Sequence, residues 1–60
     1  MTSERVHVAV VLWGEAEDGL PFSQVKLGVS GTDAISKAQR WADGNLVVPE
    51  DSEVYYVGVV

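Results

Sequence analysis

No cysteine occurs anywhere in this chain of 60 residues, and that limits the ways it can hold a fold. A domain of this length buries only about 60% of the surface that its unfolded chain exposes. Below roughly 70–80 residues an apolar core seldom supplies more than about 3–5 kcal/mol, so small folds usually carry a staple. Disulfides are excluded. With one histidine and no Cys/His cluster, a structural zinc is excluded as well. What is left for a single domain over residues 1–60 is very regular packing or self-association.

The apolar residues repeat every second position from Arg5 to Trp13. Val6, Val8, Val10 and Leu12 share one face of a strand, and Arg5, His7, Ala9, Val11 and Trp13 share the other. Two largely apolar faces suit a central strand. Gly14 to Pro21 contains the turn dipeptide Asp18-Gly19 and reads as a hairpin loop. Phe22 to Ser30 alternates again, with Val25, Leu27 and Val29 on one face and Gly28 at the position of an expected bulge. Ser30 and Asp33 have capping-box spacing, with Thr32 as an alternative cap. Ala34, Ile35, Ala38, Trp41 and Ala42 then form a narrow apolar stripe at helical spacing, and Gly44 reads as a left-handed terminator. After a connection through Pro49, Glu53 to Val60 is rich in valine and tyrosine and reads as the last strand.

The order is β-β-α-β. A hairpin makes the first two strands antiparallel, and a right-handed crossover makes the third parallel to the second. The expected fold is α+β: a three-stranded antiparallel sheet of order 2-1-3 with one helix packed on one face. The helix is expected to cover the even-numbered valines of the first strand. That would leave His7, Ala9, Val11 and Trp13 on the open side.

The net charge is −5, with four lysines and arginines in total. Nucleic-acid affinity rests on many phosphate neutralisations, and anionic membranes attract basic clusters, so neither partner is expected. No apolar run reaches the 18 residues of a membrane span. Met1 to Arg5 leads into a valine run too short and too alternating for a signal peptide, which places the expected location in the cytoplasm. Twelve valines against one isoleucine and one asparagine suggest a GC-rich genome, such as an actinobacterium or one of its viruses.

No catalytic residue, cofactor site or metal site emerges. His7 stands in no local motif that would pair it with a nucleophile. Glu15, Glu17 and Asp18 lack the ligand spacing of a calcium loop. Gly28 to Thr32 leads from strand to helix without the lysine or the glycine spacing of a phosphate loop. Val29 to Gly44 resembles the helix-entry region of HicB-type antitoxins, which also place a strand hairpin before a capped helix. The proline-glycine signature that precedes that helix in those proteins is absent, and membership is not assigned.

The expected function is therefore a non-enzymatic protein-interaction module that self-associates. Its expected surface is His7, Ala9, Val11 and Trp13 with Tyr56, and a different protein is the alternative partner. The edge of the last strand is a second expected contact, because Tyr56 to Val60 has no lysine or proline to blunt it. Two other readings stand beside this one. One is a virus-encoded accessory protein that binds and alters a host protein (in the host cytoplasm). The other is a small-ligand binder or enzyme that uses His7.

Overall fold

The computed structural model describes residues 5–60, so the Met1 to Glu4 part of the N-terminal reading lies outside the described residues. The elements run β1 (His7–Trp13), β2 (Phe22–Gly28), α1 (Gly31–Asn45), a 3-10 turn (Pro49–Asp51) and β3 (Glu53–Val59). The sheet order is β2-β1-β3 and both pairings are antiparallel. The helix packs on one face, giving the expected α+β architecture.

Local chemistry accounts for the joints. In the hairpin loop the Asp18 carboxylate accepts from the Leu20 N–H at 3.0 Å. Gly14 and Gly19 sit at φ of 64° and 82°, which side chains with a Cβ disfavour. Ser30 caps α1 and accepts from the Asp33 N–H at 3.0 Å. Asp33 in turn accepts from the Val29 N–H at 3.0 Å and pairs with Lys37 at 3.1 Å. One carboxylate thus ties the end of β2 to the first turn of the helix.

The hydrogen bond from Val29, followed by the contact with Lys37, holds the Asp33 carboxyl below its ordinary pKa. A lowered folded-state pKa contributes stability that is fully present above the unfolded value and is lost as pH falls through the folded one. Thermal melts run from about pH 6 down to about pH 2 should show a loss of stability at the acid end that is smaller in Asp33→Asn. Equal acid sensitivity of the two proteins would contradict this role.

Gly44 does not terminate the helix as expected. The helix continues to Asn45, and the positive-φ glycines are Gly14, Gly19 and Gly58. The last turn closes instead through the Leu46 N–H, which donates to the Ala42 carbonyl at 2.9 Å, and the Asn45 amide, which donates to the Trp41 carbonyl at 2.8 Å. Gly28 likewise marks no bulge: β2 pairs with β1 in continuous register through it. The register shift lies in β3, where Tyr56 pairs with Ala9, Gly58 pairs with Val8, and Val57 is the extra residue.

The core is small. Ala9, Val11, Ala34, Ala38 and Ala42 are its buried members, and Val11 is the largest fully buried side chain. Trp13, Ile35, Trp41, Leu46 and Val54 pack around them, partly buried. The helix lies close because both surfaces are shallow where they meet: alanines on α1 face Ala9 and Gly28 on the sheet.

Candidate interaction surface

This close approach reverses the expected assignment of the two sheet faces. Residues paired across a sheet point to the same side. Ala9 and Val11 are 0% exposed beneath α1, so the odd-numbered positions of β1 face the helix. Their partners Gln24 and Lys26 on β2, and Val54 and Tyr56 on β3, lie on that side too. Ala9 and Val11 are therefore core residues, and the expected free surface of His7, Ala9, Val11, Trp13 and Tyr56 lies on the helix side. An alanine-lined helix packs better on the strip made by Ala9 and Gly28 than on a ridge of valine and leucine.

The other three members of that set are placed individually. Trp13 stacks on Phe22 with ring centroids 5.8 Å apart and meets Trp41 at 5.1 Å. Lys26 Nζ sits 5.8 Å from the centre of the Trp41 ring, within cation–π range. His7 Nδ1 and the Tyr56 hydroxyl share a hydrogen bond of 2.8 Å, and the Tyr56 ring lies close to Gly31. His7 is thus held at the start of the helix, on the side opposite to the one expected.

The even-numbered positions form the open face. Val8, Val10 and Leu12 run up its centre, flanked by Leu27 and Val25 on β2 and by Tyr55 on β3. Val25, Leu27 and Tyr55 are 53%, 54% and 48% exposed. The Tyr55 hydroxyl donates to the Glu53 carboxylate on the same face. That hydrogen bond, and the negative charge it meets, push the Tyr55 hydroxyl above its ordinary pKa. Glu53 is opposite Leu12, at one end of the face. Sequence reading found these positions and gave them to the core.

Among the described residues, no group of three or more His, Asp or Glu side chains converges as metal ligands would. No helix among them is long and apolar enough to cross a membrane. Comparison of the chain with protein-family models, with curated proteins and with solved structures finds no match.

Proposed function

We propose that the protein is a non-enzymatic interaction module that self-associates, and that the open face of its sheet is the contact surface. The observation that carries this reading is a continuous apolar face, with Val25, Leu27 and Tyr55 about half exposed, on a domain with few fully buried side chains. Contiguous exposed apolar surface of this kind marks interaction sites more often than scattered single residues do. The cytoplasm is the proposed location, since a cysteine-free domain needs no oxidising compartment for its fold.

The size of the face sets the strength of the contact. Three strands of seven residues, at about 3.3 Å per residue and about 4.8 Å between strands, make a patch of about 23 by 14 Å. Such a pair falls below the roughly 1,200 Å² of total buried area typical of stable complexes, in the range of weak and transient ones. Sedimentation velocity over a concentration series should show a reversible dimer with a Kd on the order of micromolar. Val10→Asp, which places a carboxylate at the centre of the face, should yield a monomer with an unchanged circular dichroism spectrum. Val11→Asp should instead unfold the chain, because the next side chain points beneath the helix. A wild-type chain that stays monomeric up to about 1 mM, weaker than about −4 kcal/mol of association, would overturn the proposal.

A further inference from the structure

The two outer strands of the sheet are not equivalent as edges. β3 carries the irregularity at Val57, whereas β2 pairs with β1 in continuous register over all seven residues. Val6 exchanges both backbone hydrogen bonds with Val60, at 2.9 and 3.3 Å, so the even-numbered residues of β1 turn their N–H and C=O groups toward β3. The odd-numbered ones bond to β2, through Phe22, Gln24, Lys26 and Gly28. Ser23, Val25 and Leu27 therefore direct their backbone groups away from the sheet, and all three residues are exposed. The next N–H in that outward row, at Val29, is already taken by the Asp33 carboxylate. Among the described residues no strand pairs with this side of β2. The usual guards are missing from it: β2 contains no proline, and its one charged residue, Lys26, points to the helix side and lies over the Trp41 ring.

The helix-side flank of this edge is basic, in a chain of net charge −5. Asp33, Lys37 and Arg40 follow one another at i, i+4 and i+7 along one line of α1. Lys37 lines a hollow of about 430 Å³ with Leu27, Gly28 and Val29 at the end of β2, and Arg5 borders the same hollow from just before β1. The charge of Arg40 reaches Asp33 and helps to hold its carboxyl below its ordinary pKa. With Lys26, all four lysine and arginine side chains of the chain lie on the β2 side. On the opposite flank Asp43 and Glu50 line a hollow with Val54 of β3. On the open face the β2 edge presents Val25 and Leu27, both about half exposed.

We propose that the outer edge of β2 receives an extended segment of another protein as a fourth strand, and that this segment alternates acidic and apolar side chains. A peptide supplies the N–H and C=O groups that match those of Ser23, Val25 and Leu27. Its side chains opposite Val25 and Leu27 fall on the open face, where apolar residues fit. Those between them fall on the helix side, next to Lys26, Lys37 and Arg40. A second copy is a poorer occupant. Its own β2 would bring a second basic flank beside the first, and its β3 is irregular where the ladder should continue. A nucleic acid would meet the cations and leave the outward backbone groups unmatched. This edge is independent of the association proposed for the open face, which leaves these backbone groups free.

The test titrates the whole chain into a fluorescently labelled peptide of alternating glutamate and valine, at about 0.15 M salt. Anisotropy should rise to saturation, and the amide signals of Ser23, Val25 and Leu27 should shift in NMR spectra while those of β3 stay in place. The same peptide N-methylated at its valines cannot donate to the edge and should bind at least about tenfold more weakly. Replacing Lys37 and Arg40 together by glutamine should weaken binding about fivefold. Val25→Pro should abolish it in a folded chain, since proline removes an N–H that has no partner inside the sheet. If that variant does not fold, the N-methylated peptide asks the same question of the wild type. No rise in anisotropy at about 1 mM chain would overturn the proposal. So would equal binding of the N-methylated peptide, or tighter binding of a labelled single-stranded oligonucleotide. Weaker self-association in Val25→Pro, with no peptide bound by the wild type, would assign the edge to a second copy and overturn it equally.

Discussion

Gly28→Ala is expected to remove most of the stability of this domain. A Cβ built on Gly28 would lie 2.5 Å from the Ala34 nitrogen, 2.8 Å from the Ala34 Cα and 2.7 Å from an Asp33 carboxylate oxygen. Two of these are backbone atoms in the first turn of α1, so no side-chain rotation relieves the clash. The helix start must lift from β2, and that movement stretches the bond from the Val29 N–H to Asp33. Overpacking of this kind costs about 1–3 kcal/mol, occasionally more. The whole stability expected of a 60-residue domain without a staple is about 3–5 kcal/mol. Urea denaturation followed by circular dichroism should place the midpoint of Gly28→Ala at less than half that of the parent. An unchanged midpoint would mean that the helix stands farther from the sheet than described.

Trp41→Ala should have a comparable effect by the opposite mechanism. The helix contributes only alanines to the fully buried core, so its grip on the sheet depends on the larger side chains around them. Trp41 is the largest that the helix itself supplies and closes over Trp13, which in turn stacks on Phe22. Its removal leaves a gap over the end of β1 and takes away the ring beneath Lys26. Tryptophan-to-alanine changes in cores cost about 3–5 kcal/mol, and the partial exposure of Trp41 sets the expectation near the lower figure. At about 4–8 °C per kcal/mol for a domain of this size, the melting temperature should fall by more than about 10 °C. A variant that melts with the parent would show that the ring is a surface contact only.

The elements and their order could be read from the sequence because each rests on local chemistry. Alternation marks the strands, Ser30 and Asp33 mark the helix start, and Asp18-Gly19 marks the hairpin. The facing of the sheet could not be read in the same way. Hydrophobicity alone does not separate Val8, Val10 and Leu12 from Ala9, Val11 and Trp13, because both sets are apolar. What decides is side-chain size, matched across elements that are far apart in sequence. Ala9 and Gly28 fall on one face only once the register pairs Ala9 with Lys26 and His7 with Gly28. The alanines at 34, 38 and 42 complete the match, and Gly28 was the available sign of close approach. The expected interaction surface failed with the facing, since Ala9 and Val11 belong to the core. Gly44 misled for a related reason: a glycine can stay helical when the following residues supply the closing hydrogen bonds.

The extra residue in β3 bears on how far association can spread. A straight outer strand offers an unbroken ladder of N–H and C=O groups, and chains that join along such ladders can add copies without limit. Val57 breaks that regularity, and Gly58, at φ 144°, bends the strand where a lengthening sheet would need it flat. The outer rim of β3 is therefore a poor template for filament growth, although no lysine or proline guards it. The contact proposed for the open face is of a different kind, because a twofold pairing uses up the surface of both copies and closes. A single inserted residue thus favours finite assembly over polymerisation in a chain rich in valine.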